Sequence, residues 1–421
     1  MNDESPALRY AALSQDDEPA FIDRLMASAL ETPGLLSLAA GFTDNACMPD
    51  HLVRDAVADL VASGKSEVFQ YGSNQGRPQL REAVIKLHRD YPGETKHDQL
   101  SAENVLISNG SQQSLYLALQ TLCEPGDIVL VQEPTYFVFI EAARGMGIEL
   151  VGLPCDPWGA LKTDELDDYF IELRQSSRWA RVKACYLVSY FANPSTHTMS
   201  LEEKSALGRA MLDQDAVMPT IEDAAYRDLC FKSDPSISSV LSVSEYASIP
   251  TLYLGTFTKP FSTGLKVGFG IFSDQGWLSR CARLKSHQDF GTSNFSQAVV
   301  EHLLGSDAWR EFQKTMRQHY ADKAQRFVEC LDESGLRDMG WEWRDPEGGL
   351  LLWAMGPDSI DTSIGSAVFN AALEEKVLYV PGSVCMAIER PTATVRLSFG
   401  ALNPEDFSEA IARFARAVSR L

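Results

Sequence analysis

Between about residues 51 and 275 the chain alternates short, almost unbroken apolar runs with stretches whose apolar positions recur every three or four residues. The runs are NVLIS (104–108), DIVLV (127–131), IELVGLP (148–154), KACYLVSY (183–190), AVMPTIED (216–223), TLYLGTF (251–257) and KVGFGIF (266–272). Stretches such as SQQSLYLALQTL (111–122) and SLEEKSALGRAML (200–212) read as helices between them. Near-continuous apolar strands separated by helices predict an α/β fold whose mostly parallel sheet is covered on both faces.

Outside that region the texture changes. Residues 1–20 are polar and read as an arm. A helix is expected over AFIDRLMASAL (20–30), and a short strand over LLSLAAGF (35–42). After residue 290 one long helical stretch (296–331) precedes strand-like GGLLLWAM (348–355), KVLYVPG (376–382) and TATVRLSF (392–399), then a final amphipathic helix. The expected division is an arm with part of a small domain (1–50), a large domain (51–290) and a smaller α+β C-terminal domain (291–421).

Ligands of open α/β sheets gather outside the carboxyl ends of the strands, so the residues just after each apolar run carry the functional argument. NVLIS leads into Asn109-Gly110-Ser111 and a helix at once. That junction reads either as a plain N-cap or as an anion site built from free backbone N–H groups. DIVLVQEPTY brings Tyr136 to the next strand end, and KACYLVSYFANPS ends on Asn193-Pro194, by itself an ordinary turn. AVMPTIEDAAY delivers Glu222, Asp223 and Tyr226; a carboxylate there is solvated or paired with a buried cation. TLYLGTF is followed by Thr258 and Lys259, with Thr256 at its own end. Singly each signal is weak. Together they ask for one ligand with a phosphate, a flat ring, a cationic ring nitrogen, a ring oxygen and an amine-reactive carbonyl. Pyridoxal 5′-phosphate has all five.

Composition narrows the classes. With 37 Lys and Arg against 58 Asp and Glu the formal charge is −21, which disfavours nucleic-acid and membrane-surface partners. Eight cysteines form no Cys-x-x-Cys pair and no zinc-spaced cluster, so no metal is expected, and a reducing, cytoplasmic location fits. No signal peptide is expected at the start, and the apolar runs fall short of the ~20 residues that span a bilayer.

From about Phe21 to Leu421 the chain resembles the fold-type I pyridoxal-phosphate enzymes of the class I/II aminotransferase family. The motifs are YGSNQGRPQLREAV (71–84), SNGSQQSLYLAL (108–119), PGDIVLVQEPTY (125–136), NP (193–194), IEDAAY (221–226), TFTK (256–259), GLKVGF (264–269), YVPGS (379–383) and VRLSF (395–399). SNGSQQ with TSNFSQ (292–297) is most similar to the 2-aminoadipate/kynurenine aminotransferase branch. The resemblance implies that Lys259 is the Schiff-base and catalytic lysine, and that Gly110, Ser111, Gln112, Thr256 and Thr258 cradle the phosphate. It implies Tyr136 as the ring-stacking aromatic, Asp223 as partner of the ring nitrogen, and Asn193 and Tyr226 at the ring hydroxyl. Tyr71 would reach the phosphate of a neighbouring subunit, which implies a homodimer with shared sites. Arg396 would clamp the substrate carboxylate, with Asn193 and Gly41 beside it. Independently, Val395, Leu397 and Phe399 alternate with Arg396, which turns the arginine away from the apolar side.

Three departures stand out. Asn-Pro-x-Gly becomes Asn193-Pro194-Ser195-Thr196, and loss of the glycine predicts a rebuilt loop. Lys266 stands where the family usually has arginine, as a phosphate counter-charge without the planar fork. Asp23 lies where relatives often carry arginine. The expected activity is transamination between an amino acid and a 2-oxo acid. The alternative within this fold is a lyase, cyclase or other non-transaminating enzyme. A DNA-binding sensor would need a further N-terminal module and a basic face, and only about twenty residues precede the family-like region.

Overall fold

The computed structural model describes residues 32–94, 100–231 and 237–420; the helix expected over 20–30 and Asp23 lie outside them. The first elements among the described residues are β1 (Leu36–Ser37), α1 (Asp50–Ala62) and α2 (Pro78–Asp90). There follow β2 (Val105–Asn109), α3 (Gly110–Leu122), β3 (Ile128–Val131), α4 (Phe137–Gly145), β4 (Glu149–Gly152) and α5 (Leu166–Gln175). Next come β5 (Val182–Val188), α6 (Leu201–Asp213), β6 (Thr220–Asp223), β7 (Thr251–Thr256), β8 (Val267–Phe272) and α7 (Gln275–Gln288). The C-terminal part holds α8 (Asn294–Leu303), α9 (Asp307–Asp332), β9 (Glu342–Trp343), β10 (Leu351–Met355) and α10 (Ala367–Glu374). It ends with β11 (Val377–Leu378), β12 (Val380–Pro381), β13 (Thr394–Ser398) and α11 (Phe407–Ser419).

All seven apolar runs become strands of one sheet, in the order β2-β8-β7-β6-β5-β3-β4. Strand β8 runs antiparallel to both neighbours, and the other pairings are parallel. Strands β3, β6, β7 and β8 are buried along their whole length, as a sheet covered on both faces requires. Leu115, Leu119, Trp277 and Cys281 of α3 and α7 join one core cluster. Leu166, Phe170, Leu207 and Met211 of α5 and α6 join another.

The second sheet, β12-β13-β10-β9, is antiparallel, and β1 pairs separately with β11. Helix α9 contributes to two cores: Trp309, Met316 and Tyr320 pack with residues of β2, β7 and β8, whereas Phe327 and Leu331 pack with β10 and β13.

Two elements differ from the expectation. The long helix over 296–331 is two helices. Gly305 adopts a left-handed φ of +82°, and the Ser306 hydroxyl accepts from Trp309 N–H to restart the chain as α9. The strand KVLYVPG changes partner at Tyr379, so its first half extends β1 and its second half extends β13.

Candidate active site

The carboxyl ends of β2, β3, β5, β6 and β7 open on a cavity of about 520 Å³. Its walls include Gly41, Gly110, Ser111, Gln112, Tyr136, Asn193, Asp223, Tyr226, Thr256, Thr258, Lys259, Lys266 and Arg396. Lys266 belongs there because β8 is antiparallel, so the residue before its first position lies at the same edge as the ends of its neighbours.

One face of the cavity suits an anion. Helix α3 starts at Gly110, whose φ of +68° lets the chain turn straight from strand to helix. Its first N–H groups have no intrahelical acceptor. The backbone can come this close because β8 carries glycine at 268. A Cβ there would lie 2.4 Å from Gly110 C and Ser111 N. Opposite, Thr256 Oγ1 and Thr258 Oγ1 are 2.6 Å apart, and Thr258 N–H donates to Thr256 Oγ1 at 3.1 Å.

The charged groups of the cavity are poorly matched among themselves. Asp223 is 6% exposed. Its Oδ2 accepts from Tyr186 OH at 2.9 Å and its Oδ1 from Ala225 N–H at 3.0 Å, so no described cation meets it. Burial pushes its carboxyl up to about 6, against the two hydrogen bonds. Lys259 Nζ donates to Gly41 O at 2.6 Å and faces no described carboxylate. Burial in the cavity, then the charges of Arg396 and Lys266, push its ammonium down to about 8. Arg396 is 2% exposed; it donates to Asn193 Oδ1 at 3.1 Å and to Ala39 O, and its Nε has no hydrogen-bond partner. Burial pushes the Tyr226 hydroxyl up to about 12.

The neighbouring Glu222 shows the contrasting outcome. Its side chain leaves the other face of the sheet, fully buried, and pairs with Lys204 Nζ at 2.9 Å. Behind the turn that carries Tyr226, Arg227 pairs with Glu94 at 2.6 Å and lies over the rings of Tyr91 and Tyr190, at 4.1 and 4.6 Å. That cluster pins the turn from outside the cavity.

In the 193–198 segment the backbone at the missing glycine is left-handed. Thr196 itself adopts φ +60°, the left-handed backbone that a glycine would take, and its N–H donates to Ala192 O at 2.7 Å. A β-branched residue thus holds a conformation that costs such residues energy. Tyr71 is the one expected site residue outside the cavity wall. It is 79% exposed, edge-on to Phe290 with ring centroids 5.6 Å apart.

Tyr186, which supports Asp223, is not among the residues that the strand-end pattern points to. A tyrosine within an aliphatic buried strand signals a hydroxyl that needs a partner, but the partner lies 37 positions away on the next strand. Phe42, Phe137, Val138 and Val188 also line the cavity, and in the sequence they look like any core residue.

Residues 34–414 match the profile of the family described as aminotransferase class I and II. The chain belongs to that family. This aminotransferase is 27% identical over 397 residues to aromatic-amino-acid aminotransferase 1 of Thermococcus litoralis, covering 94% of this chain and 90% of the relative. It is similar to kynurenine aminotransferase of Pyrococcus horikoshii, with a TM-score of 0.85, 26% identity and coverage of 96% and 95%. It is also similar to LysN, the α-aminoadipate aminotransferase of Thermus thermophilus, complexed with N-(5′-phosphopyridoxyl)-L-leucine (TM-score 0.82, 26% identity, coverage of 98% and 97%). The aminotransferase uses pyridoxal 5′-phosphate. Its cavity fits that cofactor: a helix N-terminus for a phosphate, a buried carboxylate lacking a cation, and a lysine lacking an acid.

Proposed function

We propose that this aminotransferase takes its amino group from α-amino acids with apolar or aromatic side chains and passes it to a 2-oxo acid. The carrying observation is the contrast around Arg396. It is the single guanidinium of the described cavity wall, and it stands beside Phe42, Phe137 and Val138 rather than beside a second arginine. Its charge centre lies 5.2 Å from the Phe137 ring centroid. One carboxylate is served by that fork, and the wall contributed by Phe42, Phe137 and Val138 is apolar.

In this reading Gly110, Ser111, Gln112, Thr256 and Thr258 hold the phosphate, with Lys266 as counter-charge. Tyr136 lies against the cofactor ring, Asp223 meets its nitrogen, and Asn193 and Tyr226 meet its hydroxyl. When bound, pyridoxal phosphate supplies a carbonyl that condenses with amines and a ring that draws electrons from the substrate Cα. Arg396 and Asn193 orient the α-carboxylate, with Gly41 leaving room beside the guanidinium: a Cβ there would lie 3.8 Å from Nη2. Lys259 Nζ, lowered to about 8, is partly the free amine near neutrality and takes the proton from the substrate Cα. Asp223, once it faces a cationic ring nitrogen, is held as the carboxylate.

The protein acts as a homodimer in this reading, Tyr71 completing the phosphate site of the partner. Its exposure outside its own cavity supports that placement. A cytoplasmic location is supported by eight free cysteines, and no described helix is long and apolar enough to cross a membrane.

The test is a donor panel, with pyruvate and 2-oxoglutarate as acceptors. L-Phenylalanine, L-tyrosine and L-leucine should exceed L-aspartate and L-2-aminoadipate in kcat/KM. Faster turnover of the acidic donors would overturn the assignment of the side-chain pocket.

A further inference from the structure

The loop that carries Asn193 is held in a conformation its own residues disfavour. It springs from β5 and closes on itself: Met199 N–H donates to Ser189 O at 3.0 Å, Ala192 N–H to His197 O at 2.9 Å and Thr196 N–H to Ala192 O at 2.7 Å. Phe191 N–H also donates to Thr198 Oγ1 at 3.1 Å. Within it two residues other than glycine take left-handed backbone, Phe191 at φ +45° and Thr196 at φ +60°. Residues in such conformations persist only where surrounding contacts over-determine them.

One clamp at the loop's far side has no role in the chemistry above. His197 Nε2 lies 2.9 and 3.1 Å from the two carboxylate oxygens of Glu203. Both side chains are largely buried, at 17% and 10% exposure. Glu203 is itself fixed from two other directions. It accepts from Leu161 N–H at 2.8 Å and from Ser200 N–H at 2.8 Å, and its own N–H donates to Ser200 Oγ at 3.1 Å, closing the capping box of α6. Burial opposes its charge, yet the hydrogen bonds from His197, Ser200 and Leu161 hold its carboxyl below the usual range. His197 therefore bonds to a rigid acceptor that belongs to a helix, one residue beyond the strained Thr196.

We propose that His197 is a positioning residue: through Glu203 it keeps the Thr196 turn in its left-handed conformation and so aims Asn193 at Arg396. Without the clamp Thr196 relaxes toward negative φ, the Ala192–Thr196 turn opens, and the Asn193 amide leaves the guanidinium it now meets at 3.1 Å. Glycine at 196 would make the clamp unnecessary, because glycine takes that backbone without the steric penalty. The inference rests on the reading of Arg396 and Asn193 as the carboxylate receptor.

The experiment uses the holoenzyme with L-phenylalanine as donor and 3-phenylpropionate, its amine-free analogue, as a binding probe followed by calorimetry. His197→Ala should raise both the KM for L-phenylalanine and the Kd for 3-phenylpropionate about tenfold, with kcat changed by less than about threefold. The double variant His197→Ala/Thr196→Gly should bring both constants back to within about threefold of the parent. His197→Gln, which keeps a donor for Glu203, should behave as the parent and serves if the alanine variant does not fold. Unchanged constants in His197→Ala, or no rescue by glycine, would overturn the proposal. Arg396→Lys is measured in parallel. If it leaves 3-phenylpropionate binding intact, the carboxylate receptor is misassigned; if it weakens binding while His197→Ala does not, only the clamp fails.

Discussion

The Tyr186 hydroxyl donates to Asp223 Oδ2 at 2.9 Å, a buried bond between two neighbouring strands of the sheet. The Tyr186 ring stacks on Phe139, with centroids 3.8 Å apart, so the hydroxyl is aimed by packing as well as by its partner. Together with the Ala225 N–H, it settles the orientation of Asp223, the one carboxylate among the described residues that lines the cavity.

Tyr186→Phe leaves the stacking in place and removes one of two donors from a buried carboxylate. Hydrogen bonds to charged groups are worth about 1.5–3 kcal/mol, so affinity for pyridoxal phosphate should fall about tenfold or more. Fluorescence titration of the cofactor-free protein measures it. Unchanged affinity would remove Tyr186 from the site.

Cofactor-free protein should be destabilised by ionising Asp223. Its folded carboxyl binds a proton more tightly than the unfolded one, so its contribution favours folding below about pH 4 and is lost as the pH rises through about 6. Asp223→Asn removes this linkage. The cofactor-free variant should be more stable than the parent by up to about 3 kcal/mol at pH 7, the gap closing toward pH 4. Urea denaturation at several pH values shows it, and a gap that does not vary with pH would contradict it.

Thr196→Gly should stabilise the parent protein by about 1 kcal/mol, because a left-handed position costs a β-branched residue about 1–2 kcal/mol and glycine little. A higher urea midpoint at unchanged m-value is the expected signature. A lower midpoint would mean that the threonine side chain contributes more than its backbone costs.

Gly268→Ala places a methyl group against the first peptide of α3. The helix start must shift, at a cost of about 1–3 kcal/mol in stability. Pyridoxal phosphate should dissociate more readily, with a faster off-rate read from the loss of its absorbance. Gly270→Ala, on the same strand but packed against Leu252 and Phe272 side chains, should cost stability without that specific loss.

The strand ends were legible because buried strands are apolar throughout and the polar residue that ends each one is conspicuous. Lys259 and Asp223 emerge in this way, and Arg396 emerges from alternation along β13. Local signals also carry the break at Gly305-Ser306, a left-handed glycine followed by a capping serine. The threonine at 196 misleads, because a missing glycine in sequence says nothing of whether the backbone angle went with it. Nothing local marks Gly268, whose significance is a backbone passing 2.4 Å from a Cβ it does not have.

By itself the sequence determined the order of the candidate groups along the chain: glycine and serine at a helix start, a tyrosine, a carboxylate, a lysine, then an arginine. Only the tertiary structure decided which charges are compensated. Glu222 and Asp223 are adjacent carboxylates on one buried strand, and the pleat sends them to opposite faces. The face of Glu222 meets Lys204 of α6, so its charge is spent on holding the fold. The face of Asp223 meets a hydroxyl, an amide and a cavity, which leaves its charge for a ligand. Sequence can place a carboxylate at a strand end, but what it meets is fixed by helices folded in from elsewhere.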